Sequence, residues 1–475
     1  MIDFYFWSLV VLVSIPLLTA LTKPQRIYQY PYFMAAVFGI FILPQAVSLV
    51  RFPGATPELA ISTVFLVSCL CLVACFVGYS LPELPRNHFR QSRRVNEARL
   101  FHAGLVFVVC GLWFSYLLRH TEVQTTELGG WTGPATIYGF FQQLCYPGFA
   151  ICLMSAIRKP SSLRIGAALV GSIVPVQSIF FGRREPAALF ALTVGLTLYF
   201  QLRVRPTRWL LMVAIVAAML AIPATAMYRR LQLDNDWAGV RQIDLLENFG
   251  RFLNEESVLE LRNAAMLIEA TRRSGDYQYG AGYWNHLIFR YVPAQLLSNR
   301  FKDSLMVRPS AEGVERELSG MDYVNPIGST VTGIGDSFQQ FGYGGCLFFA
   351  AMASLFRRLW HSAVRPDALF AQLLYMQSCT CAMRAVTHWT LDFLPGLLYN
   401  AIFLGAAAIY ATAKNEGRTL SLAKSQVKGK PHFVGGLPGE LPSSESFGRS
   451  PSPHSSLTPP LHGRRRFTCR EPWQR

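Results

Sequence analysis

Arg183, Arg184 and Glu185 sit side by side in FFGRREPA (180–187), a tight turn between two apolar runs. Two adjacent guanidinium groups beside a bilayer suit a diphosphate, because arginine presents planar, paired donors to phosphate oxygens. The same turn also suits arginines that snorkel to the membrane surface, with Glu185 as their internal partner. Further on, MRAVTHWTLD (383–392) spaces Arg384, His388 and Asp392 four residues apart. At that spacing they form one helical stripe, and histidine is the usual proton acceptor near neutral pH. In YWNHLIFRYVP (283–293), His286 and Arg290 are also four apart and share a helical face with aromatic neighbours. Aromatic rings stack on sugar faces, and they also mark membrane interfaces.

Two more stretches carry candidates. EESVLELRNAAMLIEATRR (255–273) begins with two glutamates and ends with two arginines, as the helix dipole favours, and Gly275 follows as a stop. Val258, Leu261, Ala265 and Ile268 line one face, which predicts an external amphipathic helix with Arg262 as a candidate substrate contact. NPIGSTVTGIGDSFQQFGYGGC (325–346) is glycine-rich and holds Asp336 just before an apolar run. Asp336 reads either as a base or as the cap of the helix that follows. The acidic triplet Asp234–Asn235–Asp236 reads as a solvated turn rather than a metal motif.

The elements that position these residues are membrane spans. The 475 residues are 51% hydrophobic and 15% charged, with a mean hydropathy of +0.27. Soluble domains carry roughly 25% charged residues. Apolar blocks of about 20 residues read as spans. Eleven are expected, at about 3–21, 30–50, 59–80, 100–118, 135–157, 165–181, 187–202, 209–228, 338–356, 368–384 and 391–412. This excludes a soluble enzyme with one core, a disulfide scaffold and a nuclear protein. The fold class is therefore all-α: a polytopic membrane protein with about eleven transmembrane helices and one large external loop containing helices.

Charge orients the chain. Five short loops hold sixteen basic residues, among them Lys23, Arg158, Arg203 and Arg357, while the alternate set holds Arg51, Arg119, Arg183, Arg184 and Arg384. Positive-inside logic places the first set in the cytoplasm, the N-terminus outside and the C-terminus inside. The expected domains are spans one to eight in 1–228, an external loop domain in 229–337, spans nine to eleven in 338–413, and a basic, disordered cytoplasmic tail in 414–475. Of the net charge of +16, +7 lies in that tail and most of the rest in short loops, which argues against a nucleic-acid footprint. The first apolar stretch has no basic residue before it and no cleavage site, so it reads as a retained span. The ten cysteines show no CxxC pattern and mostly lie in or beside spans, where they read as packing residues.

These stretches, in this order, resemble the bacterial polysaccharide polymerase family of the O-antigen polymerase type, related to the O-antigen ligases. The similar pieces are the Arg183–Arg184 turn, Arg262–Asn263–Ala264, the Tyr-x-Tyr-Gly of 277–280, and TGIGDSFQQFG from Thr332 to Gly342. The likeness covers roughly residues 180–360, and the chain departs from it at Pro293–Ala294, where members often have Pro-Arg, and at Asp336, where they often have Glu. The resemblance implies a glycosyltransferase of the inner membrane that needs no metal and no cofactor. Its donor would be a polyprenyl-diphosphate-linked oligosaccharide, with membrane lipids and other polysaccharide export and chain-length proteins as partners and no nucleic acid. On this reading Arg183, Arg184, Arg290 and Arg262 bind substrate, and His388, Asp336 and His286 are the candidate catalytic groups. An O-antigen-ligase-like transferase and a transporter or flippase of lipid-linked oligosaccharides are the rival expectations.

Overall fold

In the computed structural model the described residues are 1–82, 95–122, 124–125, 131–255, 259–293, 297–307, 312–326 and 328–412, and they fall in one compact unit. Their regular structure is helical apart from a two-residue antiparallel pairing of Gln124–Thr125 with Trp131–Thr132. The expected tail, 414–475, and the basic residues Arg86, Arg90, Arg93 and Arg94 lie outside the described residues.

Nine of the described helical stretches are long and apolar enough to cross a membrane: Ile2–Thr22, Tyr30–Arg51, Glu58–Ser80, Glu97–Arg119, Pro134–Arg158, Ser162–Phe180, Arg184–Leu202, Arg208–Leu233 and Thr390–Thr412. They match the first eight expected spans and the last. Local sequence starts several of them: Asn96 accepts the amides of Ala98 and Arg99, and Thr207 accepts that of Leu210. Trp209, Leu210, Val213 and Val216 of the Arg208–Leu233 helix are exposed. An apolar surface of this extent fits lipid rather than water as its solvent.

The two remaining expected spans differ from expectation. The ninth, 338–356, is broken. A helix Thr332–Phe341 ends at Gly342, whose φ of +57° is in the left-handed region, and a new helix starts at Cys346 and runs to Ala363. Gly345 permits the bend: a Cβ there would stand 2.0 Å from the Ser337 carbonyl oxygen. The tenth forms Leu369–Thr387 but buries Gln372, Gln377, Ser378 and Thr380, so it is an interior helix rather than a lipid-facing one. Both are less apolar than the other nine, although Leu369–Thr387, at 19 residues, is as long as Arg184–Leu202. Cys346–Ala363 packs along Glu58–Ser80 at very short range, since a Cβ on Gly78 would lie 2.2 Å from the Ala350 carbonyl oxygen. Small residues at such crossings let backbones approach, which is the main source of packing energy between helices in lipid.

The segment expected as the external loop carries a helix that packs into the bundle. Its Glu260–Ser274 helix is buried at every position from Leu261 to Thr271. It therefore has no solvent face over that length, contrary to the amphipathic expectation. The cause is its surroundings: Glu58–Ser80, Thr332–Phe341 and Glu312–Gly320 all pack on it.

Contacts gather the loops into the two sets that charge counting separates. Arg158 and Lys159 pair with Glu97 at 3.0 and 2.9 Å, Arg203 donates to Val364 O at 2.8 Å, and Arg357 donates to Tyr79 O at 2.6 Å. In the other set, Arg51 meets Asn254 at 2.6 Å and Arg184 faces Glu260 at 3.8 Å. The Arg184–Leu202 helix separates the two sets by 19 residues, about 28 Å at 1.5 Å per residue.

Candidate functional site

A cavity of about 920 Å³ opens at the Arg184 end of the bundle. Arg183, Arg184, Arg229, Arg290 and Arg384 line it, with Glu185, Asp392 and His388. Each side chain arrives from a different element for a local reason. Gly182, at φ +68°, turns the chain out of Ile173–Phe180 so that Arg183 and Arg184 open the next helix. Arg229 reaches that turn from the end of Arg208–Leu233, donating two N–H groups to Gly182 O at 3.0 Å each, while Tyr228 Oη donates to Phe180 O at 2.7 Å. Arg290 comes from the Ala281–Tyr291 helix and donates to Gln143 Oε1 at 2.6 Å.

Arg384 is held by the most elaborate network. Its terminal nitrogen donates to Asp392 Oδ2 at 2.7 Å, and its Nε lies 3.5 Å from Glu185. Asp392 uses its other oxygen on His286 Nε2 at 2.8 Å. Arg384, His388 and Asp392 do converge, but not as a helical stripe. The helix ends at Thr387, His388 has φ −123° and ψ −84°, and a separate 3₁₀ turn, Thr390–Asp392, carries the aspartate. That break swings Asp392 back onto Arg384.

The charge balance is positive. Five guanidinium groups meet two carboxylates on the wall, and Glu260 lies behind Arg184. Arg183, Arg229 and Arg290 form no ion pair among the described residues. Uncompensated cations close together repel one another, so an anion placed among them gains from each. Burial, and then the Arg384 charge, push the His388 imidazole down to about 4. It is therefore neutral at pH 7, with Nδ1 2.9 Å from Thr387 Oγ1.

The residues expected from sequence divide cleanly. Arg183, Arg184, Arg290 and His388 line the cavity. His286 does not, but touches it through Asp392. Arg262 lies off the cavity and donates to Phe52 O at 2.6 Å, tying its buried helix to the loop after the second span. Asp336 also lies off the cavity. It is 2% exposed, and it accepts from Thr390 Oγ1 and from the Leu391 amide, the latter at 3.2 Å. It does cap a helix, as one alternative held, but the last span rather than the ninth. Burial first, against those hydrogen bonds, raises its carboxyl to about 6.

Sequence reasoning missed Arg229, which follows an apolar run and read as the start of a loop. It also missed Gln377 and Thr380, polar residues inside an expected span that line the cavity. Their signal was a polar face at helical spacing with Arg384: 377, 380 and 384. Asp234–Asp236 is a turn, with Asp236 accepting the Gly239 amide at 2.8 Å. Among the described residues no group of three or more His, Cys, Asp or Glu side chains is placed to hold a metal ion.

Fold and site together define an all-helical protein with several membrane-length apolar helices and a guanidinium-lined cavity at one end. No family profile matches the chain, and no curated protein or solved structure shows significant similarity to it.

Proposed function

We propose that this cavity is the active site of a membrane glycosyltransferase that polymerises polyprenyl-diphosphate-linked oligosaccharide repeat units into a surface polysaccharide. On this reading the cavity faces outward from the inner membrane, and the set containing Arg158, Arg203 and Arg357 faces the cytoplasm. The observation that carries the reading is the convergence of five arginines from four separate regions on one cavity with two carboxylates. Such an excess suits a group that gains negative charge as it leaves.

In the proposed step, a hydroxyl oxygen of the acceptor unit attacks the anomeric carbon of the donor glycan. The anomeric C–O bond to the diphosphate breaks, and its electron pair stays on the diphosphate oxygen. Arg183, Arg184, Arg229 and Arg290 stabilise that charge where it develops. The hydroxyl proton passes to a base in the cavity. His388 is neutral and available, but a group at about 4 is a weak acceptor. Glu185 is the stronger candidate of the two wall carboxylates, because Asp392 has both oxygens engaged while Glu185 has its one ion pair at 3.5 Å. The products are a lengthened glycan, polyprenyl diphosphate and the proton.

Replacing Arg183 and Arg184 with alanine tests this in cells. At normal protein level, the long-chain glycan ladder should collapse to single repeat units. A full-length ladder would remove both residues from the mechanism. An O-antigen-ligase-like enzyme would use the same cavity chemistry with another acceptor, and its loss would leave long, untransferred lipid-linked chains instead.

A further inference from the structure

Below the arginines the cavity changes character. Its wall there includes Gln377 and Thr380 of the Leu369–Thr387 helix, and Asn400 of Phe393–Thr412. All three are nine-tenths buried or more, at 3%, 5% and 7% exposure. None is charged. Among the described residues two of their polar atoms, Gln377 Nε2 and Thr380 Oγ1, have no hydrogen-bond partner. There the Asn400 amide donates only to the Cys381 sulfur, at 3.6 Å, a weak acceptor. Leaving such atoms unmet is costly, so buried polar groups normally find partners. Lining one cavity, they are placed to meet a ligand there.

Position narrows the ligand. Gln377, Thr380, Cys381 and Arg384 share one face of their helix, and Gln377 lies seven residues from Arg384, about 10 Å along the axis. Amide and hydroxyl groups both donate and accept hydrogen bonds, but they do not neutralise charge. A ligand that satisfies both zones has an anionic group at the rim and a neutral, hydroxyl-rich body about one sugar ring deeper. A hydrocarbon tail would leave the amides and the hydroxyl unmet, and these neutral groups would not compensate a second anion.

We infer that Gln377, Thr380 and Asn400 form a saccharide subsite that holds the sugar attached to the diphosphate. This rests on the glycosyltransferase reading above and names where the donor's first sugar lies. The subsite fixes the anomeric carbon by gripping hydroxyl or acetamido groups on the ring, while the arginines hold the diphosphate.

The test compares three lipid probes on the full chain in nanodiscs: polyprenyl diphosphate alone, and the same lipid carrying one glucose or one N-acetylglucosamine. The wild-type protein is expected to bind at least one sugar-bearing probe about tenfold more tightly than the bare lipid. Gln377→Leu should lose most of that gain, and Thr380→Val, which keeps side-chain volume, about threefold of it. Both variants should bind bare polyprenyl diphosphate as the wild type does. Thr380→Val is the second line of attack should Gln377→Leu fail to fold. A wild-type protein that binds all three probes equally would overturn the subsite and leave the diphosphate site standing. Variants that keep the full sugar gain would assign these polar groups to bound water only. A wild-type protein that binds none of the probes would instead overturn the glycosyltransferase reading itself.

Discussion

The two ends of the helical bundle use arginine in opposite ways. At one end Arg158 is closed onto Glu97, Gln201 and the Pro366 carbonyl, and Arg203 and Arg357 each cap a backbone carbonyl. There the guanidinium groups join one helix to another. At the other end Arg183, Arg184, Arg229, Arg290 and Arg384 surround a cavity, with Arg229 and Arg290 held by neutral partners and Arg184 and Arg384 by carboxylates. The two carboxylates on the wall do not balance its five cations. The same residue type therefore fastens the fold at one end and lines a cavity at the other, and the difference is the excess of cations over carboxylates around open space.

Mutation should separate the ends. Arg290→Gln removes a cavity cation whose other contact is an amide, and elongation should fall roughly 10²–10³-fold with little change in stability. Elongation assays beside thermal unfolding in detergent would check both halves. Asp392→Asn keeps the shape but weakens the hold on Arg384 and His286. A fall of roughly 10–100-fold is expected, because misplacing a positioned group costs about that much. Loss of activity without loss of binding to bare polyprenyl diphosphate would mark it as a positioning residue. Arg158→Ala, at the closed end, should instead lower stability by about 1–2 kcal/mol and leave turnover per folded molecule unchanged. If Arg158→Ala abolished turnover while Arg290→Gln did not, the contrast between the ends would be lost.

Much of this contrast was legible in the sequence. Loop charge alone sorted the arginines into two sets, and contacts gather those sets at separate ends of the bundle. The pairs Arg183–Arg184 and Arg384–Asp392 were visible as charges at the edges of apolar runs, where each is costly. What was not legible depended on chain breaks and tertiary partners. Periodicity carried the helix through His388, and only the break after Thr387 brings Asp392 back to Arg384. Asp336 looked like a base or a local cap, yet its partners come from Thr390 and Leu391, more than fifty residues away. Arg262 read as a candidate substrate contact on an amphipathic helix, but neighbouring helices enclose that helix.

Asp336 and His388 give the smallest and most specific prediction. Asp336 is raised to about 6, so the folded state holds its proton more tightly and its contribution to stability is lost as pH rises from about 4 to 6. His388 is lowered to about 4, so its contribution is lost as pH falls from about 6.5 to 4. The slopes oppose each other, each worth roughly 3 kcal/mol across the window, so in the wild-type protein these two contributions largely cancel. His388→Gln should become less stable as pH rises through this range, and Asp336→Asn less stable as pH falls. Asp336→Asn keeps an acceptor for Thr390 and Leu391 and should retain elongation within about threefold, as a cap does and a catalytic base does not. Unfolding temperatures across pH, with elongation at pH 7, read both.

The most direct measurement uses purified protein in vesicles with a labelled polyprenyl-diphosphate-linked repeat unit. The wild type should lengthen the glycan and release polyprenyl diphosphate in equal amount, and Arg183→Ala/Arg184→Ala should do neither at the same protein level. A wild type that moves the lipid across the bilayer without lengthening the glycan, or a double variant as active as the wild type, would contradict the guanidinium-held leaving group.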